Sequence, residues 1–377
     1  MASLHSHGEH GEFDEGVGYA GMTVWSLANA ARAMALTGDR RAIEHPFLQR
    51  FPRWYIHHLQ PGGMLVNAFD AGGASRGRQN VLLPILALLA ICTRADEALW
   101  TVQHYFEEPP EGLVGLAVST LDGVSEENAP ALYAHYPRAT RINWRSSWAD
   151  DADGVWVRGG HTKDQHHHHD MGHVNYIAGG RPILIEAGTP NYSNPKMASH
   201  YASGAGHNVL QLGADEPETA EHNSLWQTPP GWQSRDSEAP IHVTELNPEG
   251  ASVAVTVESG YDGLKLWERH VIWDNTRLIV KDNVHLLENR QNIVLFRWHL
   301  GTETDVDIKH HSDTQDELAW PDAIMVLEGS EPLEVGQKKM PDHTLESEDD
   351  RHLHTCIRIL SADPTNSLKV KTKITLS

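Results

Sequence analysis

The segment HVNYIAGGRPILIEAG, residues 173–188, places two short apolar stretches on either side of a Gly-Gly pair. Consecutive glycines between β-forming stretches are typical of a tight hairpin, because the central residues of such turns need positive φ angles. Further short alternating stretches, bounded by Gly, Asp and Asn, are TRINWRSSW (140–148), GVWVRGG (154–160), ASVAVTVES (251–259) and RLIVKDNVHL (277–286). They predict stacked antiparallel sheets, a β-sandwich domain, over residues 121–377.

Residues 1–120 have a different pattern, with apolar residues at helical spacing. Four helices are predicted, over residues 17–37, 47–59, 81–93 and 95–106. The glycine-rich segment QPGGMLVNAFDAGG (60–73) predicts a long loop between the second and third helices. The fold class is therefore α+β with two domains, a helical domain over residues 1–120 and a β-domain over residues 121–377.

The composition excludes several classes of function. The formal net charge of −21 argues against nucleic-acid binding, which needs a basic surface, whereas an acidic polysaccharide needs only a local basic pocket. Two cysteines far apart, Cys92 and Cys356, exclude a disulfide framework and a cysteine zinc site. No stretch reaches the apolar length of a membrane span. The N-terminus lacks a secretory leader, so the location is periplasmic or secreted if an upstream signal exists, and otherwise cytoplasmic.

The histidine-rich stretch HTKDQHHHHDMGH (161–173) carries the strongest chemical signal. If it is extended, His166 and His168 point to the same face. The hairpin can return Glu186 to the side of these histidines, and His207 arrives on a further segment. Two imidazoles and one carboxylate suit zinc or a similar divalent ion. With 26 histidines, chance pairs also occur, and we interpret His310-His311 and His352-x-His354 as solvated strand or loop residues.

The order of these motifs resembles the signature of the heparinase II/III family. The matching elements are the Arg145–Trp148 turn, the His166-x-His168-x-Asp170 segment, the Gly179-Gly180 hairpin, the Glu186–Thr189 strand end and the His207-Asn208 pair. In the helical half, GEFDEGVGYAGMTVW (11–25) is similar to the Glu-Gly-x-x-Tyr segment of that family. The resemblance covers nearly the whole chain, with weaker detail after residue 300. The chain departs from the family at residue 186, where it has Glu followed by Ala and the family usually has Asp followed by Pro.

The resemblance implies a fold and a metal site. The fold is the C-terminal part of an α/α toroid followed by an antiparallel β-sandwich. The implied ligands are His168, Glu186 and His207, holding one Zn²⁺ or other divalent ion per chain. Asp170 is implied to orient a histidine or the loop around it.

The resemblance also implies an activity, because the reaction of the family is β-elimination at a uronic acid. The chain would then be a polysaccharide lyase acting on an acidic polysaccharide or oligosaccharide. Tyr19 matches the catalytic tyrosine of the family, and His166 matches the histidine that reaches into the cleft from the sheet domain. Tyr201 is a candidate for substrate binding in the cleft. Trp226 and Trp232 are more commonly core or sheet-edge residues than sugar platforms.

Two alternative functions use the same residues: a metal-dependent glycan hydrolase and a non-catalytic sugar-binding remnant. An Asn-His pair that the family carries upstream on its toroid has no counterpart here, so we expect the chain alone to be a poor catalyst. His5, His7 and His10 are candidate local substitutes. With an incomplete toroid, the inner faces of residues 17–37 and 81–92 are expected to be exposed. A homo-oligomer or a missing N-terminal segment would then complete the cleft.

Overall fold

The computed structural model describes residues 1–71, 79–106, 110–161, 164, 166–214, 233, 237–258, 260–343 and 352–377. Helices dominate the part of the chain before residue 120. They are α1 (Ala2–Ser6), α2 (Val17–Leu36), α3 (Pro46–Ile56), α4 (Gln79–Thr93), α5 (Asp96–Trp100) and α6 (Gly112–Ser119). The four predicted helices correspond to α2, α3, α4 and α5, and a π-type turn, Thr101–Tyr105, continues α5.

Helix α4 is the centre of the helical layer. Its sequence is apolar on all sides, which is typical of a buried helix. Leu86 and Leu89 are fully buried, and α4 packs against α2, α3, α5 and α6. The expectation that residues 81–92 expose an apolar face is therefore wrong, because the other helices cover this one. Helix α2 does expose apolar side chains, with Met22 70% and Leu36 81% exposed.

The described strands form three larger antiparallel sheets and two short ribbons. The five-stranded sheet has the order β3 (Tyr133–Tyr136), β4 (Arg141–Arg145), β5 (Gly154–Arg158), β7 (Val174–Ala178), β8 (Arg181–Leu184). The eight-stranded sheet has the order β11 (Ile241–Asn247), β12 (Gly250–Val257), β13 (Leu264–Asp274), β14 (Arg277–Leu286), β21 (Ser367–Leu376), β18 (Ala323–Gly329), β17 (Gln315–Trp320), β16 (Asp307–Ser312). The four-stranded sheet has the order β19 (Leu333–Pro341), β20 (Leu353–Ser361), β15 (Val294–His299), β9 (Leu210–Leu212). The ribbons pair β1 (Leu59–Gln60) with β2 (Met64–Leu65) and β6 (Gly160–His161) with β10 (Glu238–Ala239).

The five-stranded sheet is the middle layer of the molecule. Strands β5 and β7 are buried at every position, as expected of a sheet covered on both faces. On one face, Trp144 packs edge-on against Trp273 of the eight-stranded sheet. On the other face, Trp156 packs with Val66 and Phe69 from the loop that follows α3. Residues that face the helices from this sheet are therefore placed to form a site with helical residues.

The structure bears on two further predictions. His310 and His311 lie exposed on β16, as predicted. His354 is buried, with Nε2 2.6 Å from Nδ1 of His299, so its interpretation as a solvated residue is wrong. On β20 its side chain points to the covered face, whereas that of Leu353 points outward.

Among the described residues, none of the helices combines the length and apolarity needed to cross a bilayer.

Candidate metal and catalytic site

The β7–β8 hairpin positions Glu186. Gly179 and Gly180 form its turn with φ angles of 54° and 71°, as the Gly-Gly pair predicted. After β8 the chain runs beside β15, where the Ile185 N–H donates to the His299 carbonyl at 2.9 Å. The next side chain, Glu186, is only 1% exposed. The hairpin therefore delivers a carboxylate to the protein interior.

His207 is held in place by its neighbour Asn208. The Asn208 side-chain amide donates to the carbonyls of Val174 and Ile185 at 2.9 and 3.0 Å, and its oxygen accepts from the His299 N–H at 2.7 Å. One buried side chain thus joins β7, the end of β8 and β15. His207 is attached directly to this junction, so its backbone position is fixed relative to Glu186.

His168 lies in a loop between β6 and β7, and the prediction of an extended strand for this stretch is wrong. The chain turns at His166, which has a φ angle of 53°. The loop is instead tied to its surroundings by backbone bonds, such as the one from the His169 N–H to the Ala202 carbonyl at 3.0 Å. His166 and His168 nevertheless both contact the carboxylate of Asp70, as described below.

The three predicted ligands converge. Glu186 Oε1 lies 3.7 Å from Nδ1 of His168 and 3.8 Å from Nδ1 of His207. One ligand atom from each residue lies within 4.8 Å of the other two, and all three side chains are buried. Within the described part of the chain, neither Glu186 oxygen has a hydrogen-bond partner, nor does Nδ1 of His168 or either ring nitrogen of His207. Buried polar atoms without partners cost free energy of folding, so His168, Glu186 and His207 need a further group between them to satisfy these atoms.

The donor set fits a divalent cation. Two imidazoles and one carboxylate at these separations suit zinc or a similar ion, which would take one ligand atom from each of the three side chains. The pKa of His207 is consistent with a role as a metal ligand. Burial lowers the pKa of His207 well below its usual value, and the neighbouring imidazoles, His168 first, lower it further. His207 therefore stays neutral, which is the form that binds a metal.

Asp70 contacts both His168, one of the candidate ligands, and the partly exposed His166. Its Oδ1 atom is 3.0 Å from Nε2 of His168, and its Oδ2 atom is 2.8 Å from Nδ1 of His166. Burial raises the pKa of Asp70, but the hydrogen bond and electrostatic attraction of His168, together with hydrogen bonds from Tyr192 and His166, outweigh it and lower the pKa to about 2. Asp70 is therefore ionised at neutral pH and binds both histidines.

Tyr19 and His166 form a stacked pair above Asp70. Their ring centroids are 3.9 Å apart with an interplanar angle of 13°. The Tyr19 hydroxyl lies 3.1 Å from the Tyr192 hydroxyl, which in turn donates to Asp70 Oδ2 at 2.5 Å. His166 is 36% and Tyr192 40% exposed, so this group opens to solvent. Helix α2, the loop that carries Asp70 in the helical half and two loops of the sheet region thus bring two phenols, an imidazole and a carboxylate together.

Comparisons with known proteins show the family and the fold of the chain. The family model described as "Heparinase II/III-like, C-terminal" matches residues 155–355, more than half of the chain. The chain belongs to the heparinase II/III family. Comparison with curated proteins gives no match.

Solved structures of the same fold include several glycan lyases. A heparinase III shares 15% identity with a TM-score of 0.69, and all of this chain covers 54% of that one. The heparan sulfate lyase HepC from Pedobacter heparinus shares 12% identity with a TM-score of 0.74, covering 100% of this chain and 55% of that one. A chondroitin AC lyase variant from Streptomyces coelicolor A3 shares 10% identity with a TM-score of 0.51, over 96% and 52%. The chain thus spans about half the length of these proteins, and the sheets match the heparinase β-sandwich.

Tyr201, predicted to contact substrate, is fully buried and packs with Ala187, Met197 and Ala202. A side chain without exposed surface cannot line a cleft, so this prediction is corrected. The tyrosine at the surface of the site is Tyr192, nine residues earlier. The π-type turn Met197–Tyr201 directs the Tyr201 ring inward, where it meets His343 edge-on.

The Asp170 carboxylate contacts Arg158, with Oδ2 3.4 Å from Nε, and Arg158 also pairs with Asp164. The role predicted for Asp170 in orienting the loop stays a prediction, and the carboxylate that contacts Nε2 of His168 is that of Asp70.

His5 contacts His45, and His7 stacks on Phe13 and Phe47. Trp226 and Trp232 lie outside the described residues.

Sequence reasoning missed Asp70 and Tyr192. Asp70 lies in the predicted loop 60–73, and Tyr192 follows the Glu186–Thr189 segment that resembles the family. Neither has a periodic spacing to any other site residue. The only available signal was that both are polar residues in loops adjoining recognised motifs, since functional residues concentrate in such loops.

Proposed function

We propose that the chain acts in a polysaccharide lyase reaction, in which a uronic-acid-containing glycan is cleaved by β-elimination. In that reaction a base removes the proton from C5 of the uronate, a C4–C5 double bond forms, and the C4–O4 bond breaks. The departing oxygen takes up a proton, and water is not consumed. The residues needed are a base, an acid and a group that stabilises the carboxylate of the substrate.

The Tyr19–His166 pair is the observation that carries this proposal. The two residues come from different layers of the fold and are stacked at 3.9 Å, at the surface, in the family that has a tyrosine and a histidine in these roles. Either side chain can exchange a proton with substrate. The Tyr19 hydroxyl is hydrogen-bonded to the Tyr192 hydroxyl, which is hydrogen-bonded in turn to the Asp70 carboxylate.

We propose that His168, Glu186 and His207 hold one Zn²⁺ or other divalent ion. Such a cation would fix these three segments relative to one another. The burial of the ligands favours a lyase over a hydrolase, because these three residues are only 3%, 1% and 0% exposed. A hydrolase of this type would need an open coordination position that substrate and water can reach.

The helices are proposed to be the end of an α/α toroid. Exposed apolar side chains on α2 and α6 support this proposal, with Met22 70%, Leu36 81%, Leu113 82% and Leu116 65% exposed. Apolar surface of this kind is typical of an interface. Further helices, from an upstream segment or from a second copy of the chain, would cover it and extend the cleft above Tyr19.

Product analysis in H₂¹⁸O tests the proposed reaction. The metal-loaded chain is incubated to endpoint with heparan sulfate, chondroitin sulfate or alginate, and the products are examined by ultraviolet absorbance and mass spectrometry. We expect an unsaturated uronate without ¹⁸O. Tyr19→Phe, which removes one hydroxyl, should lower turnover on the order of a hundred-fold or more. The matched variant Tyr133→Phe, on β3 and outside the site, should keep the wild-type rate.

Saturated products with one ¹⁸O at the new reducing end would indicate the hydrolase instead. Binding of these glycans without any product would indicate the sugar-binding alternative. An unchanged rate in Tyr19→Phe would remove that residue from the mechanism.

A further inference from the structure

The Asp70 carboxylate is the contact between the metal-ligand set and the Tyr19–His166 pair. Its Oδ1 atom lies 3.0 Å from Nε2 of His168, and its Oδ2 atom lies 2.8 Å from Nδ1 of His166. Oδ2 also accepts from the Tyr192 hydroxyl at 2.5 Å. The Asp70 side chain is only 11% exposed, so these contacts face little competition from water.

The contacts fix where the protons are. A carboxylate accepts hydrogen bonds and does not donate, so its three partners must all donate to it. His168 then carries its proton on Nε2, which leaves Nδ1 as the ligand atom. His166 carries its proton on Nδ1, which leaves Nε2 as the acceptor nitrogen of the neutral ring. Tyr192 uses its only proton on Asp70, so the contact between the two tyrosines is a hydrogen bond donated by Tyr19.

We propose that Asp70 is a positioning residue that sets the tautomer of His168 through one oxygen and that of His166 through the other. The role of His166 in turnover rests on the proposed function, whereas the assignment of the two tautomers does not. The same carboxylate thus links the metal site to the stacked pair. The neighbouring carboxylates of Asp164 and Asp170 do not serve this purpose, because both are paired with Arg158.

Exchange of Asp70 for Asn tests the assignment. The side-chain oxygen of the introduced asparagine can still accept from His168, but its NH₂ group donates and so demands an acceptor at Nδ1 of His166. In Asp70→Asn we therefore expect the His166 proton to move to Nε2. The change is read by NMR of protein labelled with ¹⁵N-histidine, with the His166 signals assigned from a His166→Gln sample. Asp70→Glu, which keeps a carboxylate, should keep the wild-type tautomer, as should Asp262→Asn, an exposed control.

Metal content and turnover provide independent readouts. Asp70→Asn should retain about one metal per chain, since His168 keeps its acceptor. Asp70→Ala should lose about 10–100-fold in metal affinity, because the ligand loses the group that orients it. On a glycan that the wild type cleaves, Asp70→Asn should lower kcat by about a hundred-fold or more with little change in KM, since the Asp70 side chain is only 11% exposed and offers little surface for substrate binding.

An Asp70→Asn protein that keeps the Nδ1–H tautomer of His166 would overturn the proposal, and so would an unchanged kcat in that variant. A tautomer change without lyase activity in the wild type would support the positioning role and refute only the lyase. Unchanged metal affinity in Asp70→Ala would remove the link to the metal site.

Discussion

The imidazole of His57 joins the end of α3 to the sheet region. Its Nδ1 atom lies 2.6 Å from the Tyr136 hydroxyl, and its Nε2 atom lies 2.8 Å from the Ala131 carbonyl oxygen. Burial lowers the pKa of His57 to about 4. In the unfolded chain the same group titrates near its usual value of about 6.5. The folded state therefore binds a proton less readily than the unfolded state.

This difference predicts a loss of stability in acid. As the pH falls below about 6.5, the unfolded chain takes up a proton at residue 57 that the folded chain takes up only near pH 4. The free energy of unfolding should fall across this window, by on the order of 3 kcal/mol from His57 alone. Urea unfolding at several pH values measures it. His57→Gln should show a shallower pH dependence than the wild type.

The exposed residue His242 on β11 provides the control. His242→Gln should keep the wild-type slope of unfolding free energy against pH. A slope in His57→Gln equal to that of the wild type would show that another group causes the acid sensitivity.

Residues of the site differ in how far the sequence predicts them. The proposed metal ligands were recognisable, because each lies within a motif that resembles the family. Asp70 was not, since it reaches His168 across 98 positions and Tyr192 across 122. Contacts of that separation arise from packing of the helical loop on the sheet. Tyr201 was predicted from its closeness to His207 in sequence, which does not reveal burial.

At the scale of elements, the β7–β8 hairpin decides where Glu186 lies. Both turn glycines have positive φ, but their surroundings differ. A Cβ atom on Gly180 would lie 2.3 Å from the Asp150 carbonyl oxygen, whereas a Cβ atom on Gly179 would meet none of the described residues within 4 Å. The two positions thus form a matched pair that separates backbone strain from steric overlap.

Gly179→Ala should therefore cost about 1–2 kcal/mol of stability, the usual penalty for a left-handed conformation. Gly180→Ala should cost about 1–3 kcal/mol more, because backbone must also move to relieve the overlap. It should further lower metal content by displacing Glu186. Urea unfolding and metal analysis of both variants check this. Equal stability losses would show that the hairpin adjusts without moving its neighbours.

Elements with clear periodicity were predicted well, and those without it were not. Helix α4 and strands β5, β7 and β14 follow their apolar patterns. The loop of His166–His169 has no such pattern, and a strand was wrongly assumed for it. Its path depends on distant backbone bonds, including that from the Gly172 N–H to the Arg158 carbonyl at 2.9 Å. No local feature of the sequence specifies such a contact.

At the scale of the whole molecule, the proposed metal site joins segments that are separate in the chain. His168 comes from the β6–β7 loop, Glu186 from the end of the hairpin, and His207 from the turn before β9. Glu186 and His207 lie where the five-stranded and four-stranded sheets meet, since Asn208 bonds both Val174 and His299 and Ile185 bonds His299. A cation bound there would add its binding energy to folding of the β-domain.

Native mass spectrometry of the intact chain after loading with Zn²⁺ tests the central claim most directly. The wild type should carry one tightly held metal ion, and the His168→Ala/His207→Ala variant should carry none. A control that replaces two exposed histidines, His310→Ala/His311→Ala, should keep the ion. Full occupancy in the His168→Ala/His207→Ala variant, or a folded wild type that holds no metal, would contradict the account.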